Sequence, residues 1–208
     1  MTTKNEPKLR ELLQISRALA EKTALTELSP GSALHDAIRY QHRTPGSEAR
    51  AALCLSASLA LGLTDESAVR LAASVETLHN ASLIQDDLQD RDALRRGKTA
   101  IWKQFGPDIA INATDLLIAT AFELVASASS GSAHRLVSTM SRAIARTLQG
   151  QTKDLDAGRG LNVEQAIAVA KEKSGPLFSL SLELPLVCLL YTSPSPRDYA
   201  ASRMPSSA

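Results

Sequence analysis

Hydrophobic positions recur with a helical period along almost the whole chain, and strand-like alternation is nearly absent. The spacing predicts a first amphipathic helix from about Pro7 to Leu28, followed by a break at Pro30–Gly31. A short helix comes next, and a second break, RTPGS, spans Arg43–Ser47. The run ARAALCLSASLALGL, which starts at Ala49, is apolar on nearly every side and therefore predicts a buried helix.

A longer helix is predicted next, beginning after an N-cap at Thr64. The Thr64 hydroxyl can accept from the first turn, which contains Glu66 and Ser67. This helix continues through a group of aspartates, and we expect Gly97 and the following Lys-Thr-Ala to end it. Further helices fit residues 107–128, 132–150 and 162–174. The pattern therefore predicts an all-α protein.

The amino-acid composition also favours helices, and the net charge argues against two classes of binding partner. Ala and Leu dominate the apolar residues, and aromatic residues make up only 3%, which favours helix over strand. The net charge of +1 gives no electrostatic basis for binding nucleic acid or a membrane surface. The N-terminus, MTTKNEPKLRELLQ, lacks an apolar signal core, and no obvious run of about 20 apolar residues follows. We therefore expect a cytoplasmic protein without a membrane anchor.

Acidic residues cluster where the long predicted helix leaves its apolar stretch. On a helix, Asp86 and Asp90 share one face, His79 lies on nearly the same line, and Asp87 is one step around. Neighbouring carboxylates repel each other and are stabilised by cations. Mg²⁺ is a hard ion that binds through one or two carboxylates together with substrate phosphates.

Two arginines follow the aspartates directly. The guanidinium groups of Arg95 and Arg96 suit bidentate contacts with phosphate. From charge alone, a solvated surface held by salt bridges is an equal alternative to a metal and phosphate site.

The residues in this region resemble a known family. The segment VETLHNASLIQDDLQDRDALRRGKTA is similar to the first aspartate-rich region of the trans-polyprenyl diphosphate synthases, Asp-Asp-x-x-Asp followed by an Arg pair and Gly-Lys. Three later segments resemble family landmarks in the same order: TDLLIATAFELV at Thr114, GQTKDLD at Gly150 and KSGPLFS at Lys173. The resemblance covers roughly residues 30–187 and implies the isoprenoid synthase fold, a helical bundle around a central cavity.

The resemblance also implies a reaction and its partners. An allylic prenyl diphosphate would ionise, and isopentenyl diphosphate would add to it to give a longer trans-prenyl diphosphate. Mg²⁺ would be the cofactor, and a homodimer is the expected assembly. The implied metal ligands are Asp86, Asp87 and Asp90.

Substrate contacts follow from the same resemblance. Arg95 would hold the allylic diphosphate, whereas Arg96, His79 and Arg50 would hold isopentenyl diphosphate. Lys173 is implied as a catalytic residue. Together with Gln151 and Asp154 it would lie on the pyrophosphate side of the cavity.

The product length is predicted from the helical turn before Asp86. Side chains there line the cavity floor in this family, and Ala81 and Ser82 are small. We therefore predict a product of C20 or longer.

One loop departs from the family pattern. The family's Gly-Gly-Lys-Arg-x-Arg-Pro corresponds to PGSEARA, in which Ser47 and Glu48 replace a basic pair and only Arg50 matches. Two alternatives therefore stay open. A class I terpene cyclase shares the fold, although it needs no second diphosphate site for Arg95 and Arg96. A non-catalytic subunit of a heteromeric prenyl synthase would tolerate the altered loop.

The C-terminal stretch differs in kind from the rest. CLLYTSPSPRDYAASRMPSSA, residues 188–208, is rich in Ser and Pro and resembles translated sequencing adaptor. We therefore predict a partial polyprenyl synthase domain over residues 1–187, followed by a disordered artefact over 188–208. The family's second aspartate motif would lie beyond Val187, so we expect the 208-residue chain itself to be inactive.

Overall fold

The structure is a computed structural model that describes residues 6–43, 46–157 and 160–192. These residues form eight helices and one short hairpin, which confirms the all-α prediction. In chain order the elements are α1 (Glu6–Leu25), α2 (Ala33–His42), α3 (Ala49–Ala60), α4 (Asp65–Asp90), β1 (Leu94–Arg95), β2 (Lys98–Thr99), α5 (Ile101–Phe105), α6 (Pro107–Ala126), α7 (Ala133–Ala157) and α8 (Val163–Thr192).

Helix α4 is the centre of the bundle, with α1, α3, α6 and α8 packed around it. Its buried residues lie on all sides of the helix and include Leu71, Val75 and Ile84. The predicted start is confirmed, because Thr64 Oγ1 accepts from the Ser67 amide at 3.2 Å. A largely buried central helix thus places the aspartates at its C-terminal end at one edge of the core.

The predicted end of this helix at Gly97 was wrong. Helix α4 ends at Asp90, and Arg91 follows in the left-handed region at φ 56°. Strands β1 and β2 then pair antiparallel across the two-residue turn Arg96–Gly97, in which both residues have positive φ. This is the pattern of a tight type I′ hairpin, which needs a residue such as Gly97. The chain therefore folds back toward α4 directly after the aspartates.

Helices α7 and α8 are both longer than predicted, because each continues through Gly or Pro residues. Helix α7 continues past Gly150, where an added Cβ would lie 2.5 Å from the backbone carbon of Glu172 on α8. Gly150 therefore marks a close approach of two helices and not a helix end. Helix α8 likewise continues through Pro176 and Pro185, and Leu180 and Leu184 on it are fully buried.

Helix α8 also crosses the predicted domain boundary at Val187 without interruption. Cys188–Thr192 continue the helix, and the Cys188 side chain is 1% exposed within the main core cluster. Residues 188–192, which were predicted to be disordered, are therefore helical in the structure. Pro45 and residues 193–208 lie outside the described residues, and the adaptor origin of the tail stays a prediction.

Two of the described helices are long and apolar enough to cross a membrane by length and composition alone. They are α6 and the Val163–Leu190 part of α8, with mean hydropathy of 1.6 and 1.3. The sequence analysis overlooked both. Core helices of soluble proteins pass the same test, and Leu117, Leu124 and Leu180 of these helices belong to the buried core.

The close approach at Gly150 makes a test of the α7–α8 packing. Gly150→Ala would press a methyl group against α8 backbone, so we expect the free energy of unfolding to fall by about 1–3 kcal/mol. Gly175→Ala is the matched control, since its Cβ would meet nothing within 4 Å and alanine favours helix by about 1 kcal/mol. Urea unfolding measures both, and equal stability of Gly150→Ala and the parent would contradict the packing.

Candidate active site

A cavity of about 110 Å³ opens between α4, α7 and α8. Five of the ten predicted site residues line it, and they are Arg50, His79, Asp86, Gln151 and Lys173. Its other walls are largely apolar, with Leu78, Ile118, Ile144 and Leu177 among them. The cavity thus combines a charged rim with an apolar interior.

The rim centres on the carboxylate of Asp86. Lys173 Nζ on α8 lies 2.8 Å from Asp86 Oδ1 and also 2.8 Å from Asp154 Oδ2 on α7. Gln151 Nε2 donates to Asp86 Oδ1 at 2.9 Å and to Gln89 Oε1 at 3.0 Å. Residues far apart in sequence therefore meet at one carboxylate.

Asp87 is held differently, by the arginine of the hairpin. Its side chain is buried, and Arg95 Nε donates to Asp87 Oδ1 at 2.6 Å. Arg95 Nη2 forms a further ion pair with the same oxygen and lies 4.0 Å from Asp86 Oδ2. Two side chains outside the hairpin hold its backbone in place. Trp102 Nε1 donates to the Asp92 carbonyl, and the Tyr40 hydroxyl donates to the Thr99 carbonyl.

Asp90 is exposed one helical turn beyond Asp86. Partial burial raises the pKa of Asp90, and the neighbouring Asp86 carboxylate adds to the rise. Burial also raises the pKa of Asp87, against the lowering effect of Arg95. Burial is the first cause in both cases, so both shifts reflect the cost of holding a charged carboxylate away from water.

No group of three or more His, Cys, Asp or Glu side chains is arranged to hold a metal among the residues that the structure covers. The carboxylates nevertheless provide oxygen donors of the kind that hard divalent cations prefer. Asp86 already has an ammonium group against one oxygen, and Asp90 is open to solvent. Asp86 and Asp90 are therefore the residues that could share a cation, while Asp87 is committed to Arg95.

Arg50 and His79 form the second polar wall. Arg50 Nη1 donates to His79 Nε2 at 3.0 Å, and the Arg50 guanidinium lies 4.0 Å from the centre of the Phe178 ring. Since Arg50 is always a donor, His79 accepts through Nε2 and carries its proton on Nδ1. Burial, followed by the charges of Arg50, Arg96 and Arg95, lowers the pKa of His79 to about 3.

Arg96 lies beside the altered loop and not in the main cavity. Its guanidinium occupies the space that a side chain at position 46 would need, with Nη1 2.7 Å from the Cβ position of Gly46. With Asp87 and Arg95 it lines a smaller pocket of about 20 Å³ under the hairpin. The structure thus places Arg95 and Arg96 on the flank of the aspartates, while Asp154 contacts the site through Lys173.

Some contributors were missed by the sequence analysis. The Phe178 ring packs against the Arg50 guanidinium, and Gln89 Oε1 accepts a hydrogen bond from the Gln151 amide. Trp102 donates a hydrogen bond to the backbone beside the hairpin. Gln89 is adjacent to Asp90, and Phe178 belongs to the KSGPLFS segment, but only their tertiary contacts distinguish them. Trp102 is the single tryptophan of the chain, and this alone could have marked it as a candidate structural contact.

Comparison with known proteins gives a consistent result. The polyprenyl synthetase family model matches residues 32–201. Geranylgeranyl pyrophosphate synthase 7, chloroplastic, from Arabidopsis thaliana is 38% identical over 151 residues, which are 66% of this chain and 44% of that protein. A heterodimeric geranylgeranyl pyrophosphate synthase large subunit 1, chloroplastic, from the same plant is 43% identical over 99 residues, 47% of this chain and 27% of that subunit.

A solved structure shows the same architecture. The geranylgeranyl pyrophosphate synthetase of the archaeon Geoglobus acetivorans superposes with a TM-score of 0.79 at 26% identity, over 92% of this chain and 63% of that one. The structural match confirms the predicted isoprenoid synthase fold. The chain spans less than half the length of both Arabidopsis proteins.

The arrangement of Arg50 and His79 predicts an unusual histidine. His79 should stay neutral from pH 8 to pH 4, and Arg50→Met should raise its pKa while leaving it below 6.5, because burial is the larger cause. NMR titration of the imidazole measures both values.

The same shift has a consequence for stability. The unfolded chain binds a proton on His79 below about pH 6.5 and the folded chain does not, so this residue makes the free energy of unfolding fall as pH drops from 6.5 towards 3. An imidazole that titrates near 6.5 in the folded parent protein would contradict the described contact.

Proposed function

The chain belongs to the polyprenyl synthetase family, and we propose on that basis that the whole protein is a prenyltransferase. It would join an allylic prenyl diphosphate to isopentenyl diphosphate and release a longer trans-prenyl diphosphate. The observation that carries the proposal is the cavity itself, in which Asp86, Lys173 and Gln151 form a polar rim above an apolar interior. A diphosphate would bind at the rim, and the prenyl chain would lie along the apolar interior.

Each charged wall has a separate task in this proposal. The allylic C–O bond breaks, and Lys173 and Arg95 would bind the departing diphosphate, whose negative charge grows as the bond breaks. Arg50, Arg96 and the Nδ1–H of His79 would hold isopentenyl diphosphate. Its double bond attacks the allylic carbon, and loss of a proton from the adduct restores a double bond in the product.

Water has to be excluded while the allylic carbon is positive. Leu78, Ile118, Ile144 and Leu177 line the cavity and provide no nucleophile to the cation. These side chains would therefore favour transfer to isopentenyl diphosphate over hydrolysis.

We propose Mg²⁺ as the cofactor. Asp86 and Asp90 would hold it, with Asp87 keeping Arg95 in place beside them. When bound, the metal would neutralise the diphosphate and act as a Lewis acid toward it. Asp86 would exchange part of its contact with Lys173 for the metal, which frees the ammonium group for the diphosphate.

A product of C20 or longer stays our proposal for chain length. Ala81 and Ser82 line the cavity directly below Asp86, and both are small. The relatives named geranylgeranyl pyrophosphate synthase agree with a C20 product. Larger side chains from Leu78, Ile118 and Ile144 also line the cavity and would limit further growth.

A subunit role is the second candidate, and Glu48 favours it. This carboxylate lies at the start of α3 beside the proposed isopentenyl diphosphate site, and Arg17 neutralises it only at 4.0 Å. One relative is named as the large subunit of a heterodimer. The terpene cyclase alternative loses support, because the family model that matches is that of the polyprenyl synthetases.

The assembly and location are also proposals. A homodimer remains the expected state on family resemblance, and the cytoplasmic location and absence of a membrane anchor stay predictions from the sequence.

The aspartates give the direct test of the proposed function. In the whole protein, Asp86→Asn should lower incorporation of labelled isopentenyl diphosphate by about a hundredfold or more, since an important charge at the reacting centre is lost. Asp90→Asn should act in the same direction. Asp92→Asn is the matched control, because Asp92 is exposed and lines neither pocket. Equal activity of all three variants would argue against the assigned site.

The small residues below Asp86 predict the product length. Ala81→Phe should fill the cavity under the rim and shift the main product from C20 or longer to C15. Chromatography of the dephosphorylated products measures the shift, and turnover of a C10 allylic substrate should be retained. An unchanged product length would show that Ala81 does not form the floor.

A further inference from the structure

Helix α3 begins without a cap from its own sequence. Its N-cap residue, Glu48, is in the left-handed region at φ 49° and makes no side-chain hydrogen bond to the helix. The first amides of a helix have no partner within the helix and need one from elsewhere. Arg50 lies in this first turn, so the orientation of the turn decides where its guanidinium points.

A residue of another helix supplies the missing acceptor. Glu76 on α4 points at the start of α3, and its Oε2 accepts from the Ala51 amide at 3.4 Å. The carboxyl group is largely buried, and burial raises its pKa, while the Ala51 amide and the charge of Arg50 favour the ionised form. A buried negative group at a helix N-terminus is also favoured by the helix dipole.

Three charged side chains act on the Glu76 carboxylate. Arg50 and Arg96 attract it, and Glu48 repels it. Arg17 lies across the same small pocket and pairs with Glu48 at 4.0 Å. Glu76 therefore lies between the altered loop and the two arginines that the proposed function assigns to isopentenyl diphosphate.

We propose that Glu76 is a positioning residue, which caps α3 from α4 and thereby holds Arg50 against His79 and Phe178. Glu76 need not touch substrate for this role. Its hydrogen bond fixes the first turn of α3, and the fixed turn fixes the 3.0 Å contact between Arg50 Nη1 and His79 Nε2. The proposal rests on the proposed function only where it connects Arg50 to a diphosphate.

Two variants separate the hydrogen bond from the charge. Glu76→Gln keeps an oxygen that can accept from the Ala51 amide, whereas Glu76→Met keeps volume but removes the acceptor. Glu123→Gln is the control, because Glu123 is exposed on α6 and lines none of the described pockets that contain the site. Hydrogen exchange of α4 amides, measured in the same samples, reports whether each variant is folded.

Amide exchange tests the cap without any ligand. In Glu76→Met, we expect the Ala51 amide to exchange about fivefold faster or more, the size of a typical N-cap. Glu76→Gln should stay within about twofold of the parent, as the control should. Unchanged exchange in a folded Glu76→Met would overturn the proposal.

The histidine ring reports the position of Arg50. In the parent, ¹⁵N shifts of His79 should show the Nδ1–H form, with Nε2 accepting from Arg50. Glu76→Met should move these shifts toward a mixture of tautomers, and Glu76→Gln should preserve them. If Glu76→Gln changed them as much as Glu76→Met, charge and not the cap would position Arg50, and the proposal would be wrong.

Calorimetric titration with isopentenyl diphosphate then connects the cap to the site. Weaker binding by Glu76→Met than by Glu76→Gln is the expected result, and tighter binding by both would contradict it. A parent protein that does not bind isopentenyl diphosphate would count against the proposed function, while the exchange and ¹⁵N results would still decide the role of Glu76.

Discussion

The ammonium group of Lys173 joins three helices at the rim of the cavity. It pairs with Asp86 of α4 and with Asp154 of α7, both at 2.8 Å, from its own position on α8. Helix α4 is buried along much of its length and ends in carboxylates, so these carboxylates reach a partly buried edge of the core. A buried carboxylate without a partner would be costly, and Lys173 and Arg95 offset that cost. In the proposed function, a cation would replace Lys173 at Asp86 and the freed ammonium group would bind the diphosphate, so that no charge is left unpaired.

Packing places these charges to within hydrogen-bonding distance. Gly150 lets α7 approach the α8 backbone closely, which brings Gln151 and Asp154 next to Lys173. The hairpin after α4 turns the chain back, so that Arg95 reaches Asp87 from only eight residues away. On the opposite wall, Glu76 and Phe178 hold Arg50. Side chains from α3, α4, α6, α7 and α8 thus line one cavity, and the hairpin that carries Arg95 lies on its flank.

Sequence patterns were informative where local chemistry decided the outcome. The helical period gave all the main helices, and the Thr64 cap was found because its hydroxyl and Ser67 lie within one turn. The aspartate spacing and the family resemblance identified most residues of the rim. Errors came where tertiary packing carried a helix further than the local pattern, as at the predicted ends at residues 150 and 174, beyond which both helices continue. Glu76 and Phe178 could not be found from the sequence, because their roles depend on which distant residues they meet.

The most direct test of the account is an incorporation assay with the whole protein. Labelled isopentenyl diphosphate and an allylic diphosphate would be supplied together, each alone, and with or without Mg²⁺. The account predicts a longer trans-prenyl diphosphate only when both substrates and the metal are present. No incorporation under that condition, or a cyclic hydrocarbon formed from the allylic diphosphate alone, would contradict it.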